Sequence, residues 1–318
     1  MSKPVFLVMP EWQGSSSSRA MRLAEGAELL REDLPTTATR EVPVPLEAGD
    51  AMGTPVARLS SVLQAGDAAR QALREIPKGS VPVILGGDCA SSLPGVEAAI
   101  LSTGSDRVAV LWFDAHPDLQ HPSTSPSGAA SGMTLRHALG DGAADLAFAS
   151  PVDPALLTLV GTRSIDAEES VEIERLGIRV LDPLSFLAPA DSAAAELAEA
   201  TPAGAAQTEA SGAEAGADAA AALAASVTEW LSASGAERVY VHVDLDVLDP
   251  AEFSAVHAAV PFGLSVAQLT AAIRAAVATV PLAGAAICEF APESAEAGAE
   301  DLPTVLRVLA ALTSGPSA

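Results

Sequence analysis

The stretch Leu111-Trp-Phe-Asp-Ala-His-Pro-Asp118 decides the fold class, because an apolar run ends there in three polar side chains at alternate positions. Residues two apart in an extended chain point to the same face, so Asp114, His116 and Asp118 are expected to lie side by side. A continuous apolar run is typical of a strand covered on both faces of a parallel sheet. Open α/β sheets bind ligands at the edge where parallel strands end, so this stretch predicts a metal site.

A second strand end repeats this arrangement in Val241-His-Val-Asp-Leu-Asp-Val-Leu-Asp-Pro250. Asp244 and Asp246 share a face, and His242 points the same way. Carboxylates two apart at a strand end repel one another unless a cation lies between them. An acidic turn after a strand explains either cluster alone, but the two clusters together favour a site for divalent metal ions.

A third motif, Val83-Ile-Leu-Gly-Gly-Asp-Cys89, joins a strand to a helix through two glycines that let the backbone come close to a neighbouring group. The motif is weak by itself, because a buried cysteine is usually a small hydrophobic residue. The motif becomes informative because it lies one βα crossover upstream of Asp114.

Short β-branched runs alternate with longer amphipathic segments along the chain, which is the signature of repeated βα units. The sequence therefore predicts an α/β fold with eight mostly parallel strands. The predicted strands are Pro4 to Met9, Thr39 to Val44, Val81 to Gly86, Arg107 to Phe113, Leu156 to Gly161, Ile178 to Leu181, Arg238 to Val243 and Ala283 to Glu289. The predicted helices include 18–31, 54–75, 170–176 and 265–280.

Composition limits the classes of partner. The chain of 318 residues has 41 acidic and 17 basic residues, and this net charge of −24 argues against nucleic acid as a partner. Two cysteines are too few for a disulfide scaffold. The first apolar run is too short for a signal peptide, and no uncharged stretch reaches the roughly 20 residues that cross a membrane. We expect a cytoplasmic protein with no membrane partner.

Residues 188–225 differ from the rest of the chain, because Ala dominates them together with Glu, Thr, Gly and Ser. Such low-complexity composition predicts a flexible or loosely helical surface insertion. No second domain is required, so we expect a single domain over residues 1–318.

The segments Gly86–Cys89, Asp114–Asp118 and His242–Pro250 resemble the three signatures of the ureohydrolase superfamily, which includes arginase, agmatinase, guanidinobutyrase and formimidoylglutamase. The resemblance extends over nearly the whole chain apart from the insertion. It implies a three-layer α/β/α fold around an eight-stranded sheet, two Mn²⁺ ions a few ångströms apart and a small guanidino substrate. It also implies a homo-oligomer, a trimer or a hexamer.

The resemblance further implies roles for individual residues. One metal ion would be held by Cys89, Asp114, Asp118 and Asp244, and the other by His116, Asp114, Asp244 and Asp246. Asp118 would also position and deprotonate the nucleophilic solvent, and Glu289 would pair with the guanidinium of the substrate. The rest of the substrate would contact Gln120, Ser125, Ser127, Asp166 and Glu169.

Three positions depart from the family pattern. Cys89 replaces a histidine, and its softer thiolate makes Zn²⁺ or Ni²⁺ alternatives to Mn²⁺. Ser131, the third predicted catalytic residue after Asp118 and Glu289, stands where the family has a proton-shuttling histidine. A hydroxyl does not replace an imidazole in this role. The segment 255–263 lacks the family's pocket-bordering turn, which leaves the substrate open. Its His257 could reach the site, but a surface histidine is the favoured interpretation.

The sequence predicts a binuclear metal hydrolase that cleaves a linear C–N bond of arginine, N-hydroxyarginine, agmatine or a guanidino acid to urea and an amine. The alternative is a catalytically weak relative with a structural or sensing role, which Ser131 favours and the intact acidic ligands oppose. A third reading is hydrolysis of another amide or amidine, as in acetylpolyamine amidohydrolases and histone deacetylases. Those enzymes use one Zn²⁺ and lack the double Asp-x-Asp arrangement.

Overall fold

A computed structural model describes residues 3–186 and 205–315 of the chain. These residues contain one sheet of eight strands in the order β2-β1-β3-β8-β7-β4-β5-β6, and every pair is parallel. The predicted α/β fold is therefore confirmed. The strands are β1 (Pro4–Val8), β2 (Thr39–Glu41), β3 (Val81–Leu85), β4 (Val108–Phe113), β5 (Leu157–Val160), β6 (Arg179–Leu181), β7 (Arg238–Asp244) and β8 (Leu282–Cys288).

Helices cover both faces of this sheet and complete three layers. Within the described ranges they are α1 (Arg22–Glu32), α2 (Leu59–Glu75), α3 (Leu93–Thr103), α4 (Thr134–Ala138), α5 (Ala167–Leu176), α6 (Ala205–Ser234), α7 (Val266–Thr279) and α8 (Ala295–Leu312). One apolar cluster joins the sheet to α1, α6, α7 and α8, and the other joins it to α2 through α5. No helix in the described part of the chain is long and apolar enough to cross a bilayer.

Strand positions follow the predictions closely, and the differences have local causes. The edge strand β2 ends at Glu41, earlier than predicted, because Pro43 has no N–H to donate to a neighbouring strand. In the centre of the sheet, all six residues of β4 are buried, as expected for a strand covered on both faces.

The low-complexity insertion is described from residue 205 onward, where it is helical, one of the two expected alternatives. Residues 188–204 lie outside the described residues, but the remainder belongs to α6. Alanine is the best helix former, and the buried residues Ala219, Ala220, Leu223, Val227 and Leu231 recur on one face of the helix. That face packs in the apolar cluster with α7, so this part of the insertion contributes to the core.

The four central strands β3, β8, β7 and β4 are neighbours in the sheet, and their carboxyl ends lie at the same edge. Each of the sequence motifs follows one of these strands. The strand order therefore brings together residues that lie far apart in the chain, as expected for a ligand site at the carboxyl edge of an open sheet.

Candidate metal centre

Two strand ends build the centre by the same local arrangement. Trp112 of β4 is paired with His242 of β7, so Asp114 and Asp244 lie side by side two residues further along. The Asp114 Oδ1 atom accepts a hydrogen bond of 2.7 Å from the backbone N–H of His116. In the same way, Asp244 Oδ1 accepts one of 2.8 Å from the N–H of Asp246. Each aspartate thus holds the turn that follows its own strand.

These turns bring His116 and Asp246 into contact across the two strands. The Nδ1 atom of His116 is 2.9 Å from Asp246 Oδ2 and 3.5 Å from Asp114 Oδ1. Burial by itself lowers the pKa of His116, but its bonds to Asp114 and Asp246 outweigh that effect and raise it to about 11. The two acids thus stabilise the protonated form of the ring.

Cys89 joins the centre from the turn after β3. Its Sγ atom lies 3.1 Å from Asp244 Oδ2. Three sets of metal-capable residues have ligand atoms within 4.8 Å of one another, and together they contain all six predicted metal ligands. The sets are Cys89, Asp114, Asp118 and His242; Cys89, Asp244 and Glu289; and Asp114, His116 and Asp246.

The electrostatics of the cluster suit divalent cations. Burial, followed by repulsion from neighbouring acids, raises the pKa of Asp114 to about 7 and the pKa values of Asp118 and Asp244 well above their ordinary value. The Oδ2 atom of Asp118 is buried and has no hydrogen-bond partner in the described part of the chain. Carboxylate, imidazole and thiolate donors fit Mn²⁺, Zn²⁺ or Ni²⁺, whose charge would relieve this repulsion.

His242 lies under this cluster and stacks on Trp112 with ring centroids 3.6 Å apart. Trp112 Nε1 donates a 3.2 Å hydrogen bond to Asp114 Oδ2, and His242 Nε2 is 4.0 Å from the same oxygen. Burial lowers the pKa of His242 to about 3, so its ring is neutral. Trp112 therefore orients the Asp114 carboxylate by its hydrogen bond, and His242 packs against the indole.

Two candidate site residues have left-handed backbones, which are uncommon for residues other than glycine. Asp118 has a φ of 53° and Glu289 a φ of 64°. The N–H of Glu289 donates a 2.9 Å hydrogen bond to Gly87 O, which holds this conformation against the turn after β3. Strain of this kind concentrates at functional sites.

Glu289 also belongs to a group of buried acids that the sequence reasoning missed in part. Burial, followed by the charges of Asp88 and Glu289, raises the pKa of Glu11 well above its ordinary value. Burial likewise raises the pKa of Asp88 to about 7. Glu11 lies three residues beyond the end of β1, so its place shortly after a predicted strand was the signal that could have identified it. Gly87, with a φ of 84°, lets the backbone near Glu11 approach this turn.

A cavity of about 290 Å³ opens onto the cluster and receives several of the predicted substrate contacts. Gln120, Ser127 and Glu169 line it, together with Ser15 to Ser17, which the sequence reasoning did not identify. Ser125 is not among the lining residues but donates a 2.8 Å hydrogen bond to Gln120 Oε1. Its contribution within the described residues is thus to orient the amide of Gln120.

Asp166 does not line the cavity, because its side chain caps a helix. It is exposed and caps α5, where its carboxylate accepts hydrogen bonds of 2.9 Å from the N–H groups of Glu168 and Glu169. In turn, one carboxylate oxygen of Glu169 accepts a hydrogen bond from the N–H of Asp166. The other oxygen accepts one of 3.1 Å from the N–H of Leu119. This capping box places Glu169 at the cavity and leaves Asp166 outside its wall.

The segment 255–263 carries His257 to the cavity, so the favoured interpretation of a surface histidine is wrong. The residue is half-buried, it lines the cavity and its Nε2 atom is buried. Ser131 lines the same cavity, and its backbone N–H donates a 3.0 Å hydrogen bond to Gly14 O. The cavity therefore brings Ser131 and His257 together from two separate loops.

Arg163 supports this side of the cavity and was also missed. Its guanidinium donates hydrogen bonds to six backbone carbonyl oxygens, which belong to Gly161, Asp246, Val247, Leu248, Val260 and Pro261. It thereby ties the end of β5 to the turn after β7 and to the segment that carries His257. Because all its acceptors are backbone oxygens, no pairing of residue types in the sequence indicates this role.

A family model described as Arginase family matches residues 13–210 and 211–311. The arginase of Bacillus caldovelox is 32% identical over 127 residues, which are 38% of this chain and 42% of that protein. The arginase of Entamoeba histolytica is 36% identical over 104 residues, which are 32% of this chain and 35% of that protein. The alignments thus cover less than half of these two relatives.

Solved structures agree over a greater length. The crystal structure of Entamoeba histolytica arginase in complex with L-ornithine has a TM-score of 0.77 and 20% identity, and the match covers 98% of this chain and 99% of that chain. Formimidoylglutamase from Bacillus subtilis has a TM-score of 0.69 and 16% identity, with 99% and 88% covered. At these identities the likeness shows the fold alone. Since the family model matches nearly the entire sequence, the chain belongs to the arginase family.

Proposed function

We propose that the protein is a binuclear metal-dependent amidinohydrolase, which cleaves a linear C–N bond of a guanidino compound to urea and an amine. The observation that carries this proposal is the convergence of Cys89, His116 and four aspartates at the floor of a cavity that also contains Glu289. Membership of the arginase family supports the same reaction class.

Two divalent metal ions are the proposed cofactors, with Mn²⁺ first and Zn²⁺ or Ni²⁺ as alternatives because of the thiolate. One ion would be held by Cys89, Asp114, Asp118 and Asp244, and the other by His116, Asp114, Asp244 and Asp246. A pair of bound dications lowers the pKa of water far towards neutrality and so supplies a nucleophile at neutral pH.

The protein side chains bind the substrate and move its protons. Glu289 presents its carboxylate to the guanidinium, because a planar charge-assisted pair orients the carbon for attack. Asp118 accepts a proton from the attacking water at Oδ2, the buried oxygen that has no partner among the described residues. Gln120, Ser127 and Glu169 bind the polar end of the substrate away from the reacting carbon.

The substrate is a small molecule such as arginine, N-hydroxyarginine, agmatine or a guanidino acid. The cavity volume of about 290 Å³ and its acidic and hydroxyl wall suit a short cationic compound. The Entamoeba relative is described in complex with L-ornithine, which supports an amine that carries an α-amino acid group as product.

Urea release tests the proposal directly. Purified protein is loaded separately with Mn²⁺, Zn²⁺ and Ni²⁺, assayed for bound metal and incubated with each member of the guanidine panel. Two equivalents of metal and turnover of one guanidine would support the proposal and name the substrate. Two equivalents without urea from any compound would favour a catalytically silent relative, and failure to bind metal would contradict the centre itself.

E289Q is the matched variant for the guanidinium contact, because it keeps the shape of the side chain and removes its charge. We expect the variant to retain its metal and to lose turnover of the substrate that the wild type selects. Equal turnover in both proteins would contradict the assigned role of Glu289.

The remaining expectations from the sequence are also proposals: a single domain, a cytoplasmic location and assembly into trimers or hexamers. Light scattering of the purified protein tests the assembly, and cell fractionation tests the location.

A further inference from the structure

The cavity contains an imidazole that the metal centre does not use. Within the described residues, two histidines line the cavity, His116 and His257. His116 is engaged by Asp246 and Asp114, whereas His257 belongs to none of the clusters of metal-capable residues. The Nε2 atom of His257 is buried and has no hydrogen-bond partner in the described part of the chain. A buried polar atom without a partner is uncommon in folded proteins, and a catalytic role is one explanation for it.

The segment around His257 is attached to the sheet edge on both sides of the histidine. Before it, Ala255 O accepts a 2.7 Å hydrogen bond from the N–H of Ala291, two residues beyond Glu289. After it, Val260 O accepts a 2.6 Å hydrogen bond from Arg163. These attachments hold the imidazole in a defined relation to the carboxylate proposed to bind the guanidinium.

The reaction requires a proton to move from the attacking water to the leaving nitrogen. The hydroxyl of Ser131 is unsuited to this task, because its pKa is far above neutral. We infer that His257 is the proton-transfer residue, which accepts a proton at Nε2 and delivers it to the leaving amine; this inference rests on the proposed hydrolase function.

The charges around the ring favour a neutral resting state. Burial, followed by the positive charges of Arg19 and Arg22, lowers the pKa of His257 from its ordinary value. The other titratable groups of the cavity wall are Cys89, His116, Asp118, Glu169, Asp244, Asp246 and Glu289. A neutral imidazole begins the cycle ready to accept a proton.

The step balances without any further reactant. As the oxygen of water bonds to the guanidino carbon, its first O–H proton passes to Oδ2 of Asp118. The C–N bond to the amine then breaks, its electron pair stays on the amine nitrogen, and that nitrogen takes the proton held by Asp118. The second O–H proton passes to Nε2 of His257 as the C=O bond of urea forms, and Nε2 delivers it to the amine. Urea and the ammonium product leave, and Asp118 and His257 return to their starting states.

H257Q and H257A test the inference with the guanidine that the wild type turns over best. We expect kcat to fall by about 10²- to 10⁴-fold, the usual contribution of one acid–base group, with KM and metal content almost unchanged. Added imidazole should restore part of the rate in H257A but not in the wild type. The loss should be smaller for an N-hydroxyguanidine, because its leaving group is less basic.

H121A is the control, because His121 precedes the same cavity-lining region but does not line the cavity. It should keep wild-type kcat. The double variant S131H/H257A should have a kcat at least tenfold above that of H257A, since it returns an imidazole to the cavity at a different lining position.

Three results would overturn the inference while leaving the proposed function intact. These are full kcat in H257Q, an equal loss for good and poor leaving groups, and no rescue by imidazole or by S131H. Absence of urea from the wild-type protein would instead refute the proposed function, so the two failures are distinguishable.

Discussion

The floor of the cavity and its rim are built in different ways. The floor consists of pairs two residues apart, Asp114 with His116 and Asp244 with Asp246, at the ends of adjacent strands. The rim includes Ser131 and His257, and these residues come from loops far apart in the chain. The floor is thus set by the period of a strand, and the rim by the path of two loops.

The departures from the family pattern follow this difference, because they fall at Cys89 in the turn after β3 and in the loops of the rim, and not in the strand-end pairs. Buried acids that repel one another favour a cation between them. The rim consists of partly exposed loops, in which a histidine at one place and a serine at another are both compatible with the fold.

D246N should break the floor and have the largest effect. The variant removes one proposed ligand and the partner of His116, so we expect loss of about one equivalent of metal and a fall in kcat of about 10³-fold or more. Metal analysis and urea release measure these effects. D145N changes the charge equally at an exposed position and should behave like the wild type. Full metal content in D246N would contradict the assigned ligand set.

C89S sharpens the assignment of the floor, because it distinguishes a thiolate ligand from a core thiol. Wild-type protein loaded with Co²⁺ should show a thiolate-to-metal charge-transfer absorption, and C89S should lack it. We also expect Zn²⁺ affinity at one site to fall by about 10²-fold, since the soft donor is lost. The same spectrum in both proteins would show that Cys89 does not bind metal. C288S is the control at the other buried cysteine.

R163K should weaken the connection between the floor and the rim. Lysine has three donors and lacks the planar fork, so most of the six carbonyl oxygens lose their partner. We expect kcat/KM to fall about 10- to 100-fold and stability to fall by about 2 kcal/mol. Urea unfolding and kinetics check both. R107K, at the exposed ion pair with Glu237, should change stability by less than about 0.5 kcal/mol.

H137L should alter only the dependence of stability on pH. His137 is buried, and burial, followed by the charge of His121, lowers its pKa from 6.5 to about 4. Between these values the unfolded chain binds a proton that the folded protein does not, so the contribution to stability is present above pH 6.5 and is lost as the pH falls towards 4.

Between pH 7.5 and pH 5 the wild type should therefore lose about 2 kcal/mol more stability than H137L. Urea unfolding of both proteins at the two pH values provides the measurement. Parallel loss of stability in the two proteins would contradict a neutral buried His137. Kinetic constants should stay at their wild-type values, since His137 does not line the cavity.

Sequence reasoning was accurate where local periodicity determines the structure. The eight predicted strands and the convergence of the six metal-ligand candidates follow from alternation along a strand and from the common edge of parallel strands. It was less accurate for residues 205–225, because composition does not show that Ala219 and Leu223 meet a partner helix. Asp166 was another such case, since an acidic residue serves equally well as a helix cap and as a substrate contact.

The sequence alone determined the α/β class, the parallel sheet and the acidic floor, because each depends on neighbours two to four residues apart in the chain. Tertiary structure alone decided that Glu11 joins the buried acids, that Arg163 braces the rim and that His257 faces the cavity. These features depend on contacts between segments distant in sequence, and such contacts leave no periodic signal. The chemistry of the floor can therefore be predicted from the motifs, whereas that of the rim is seen only in the folded chain.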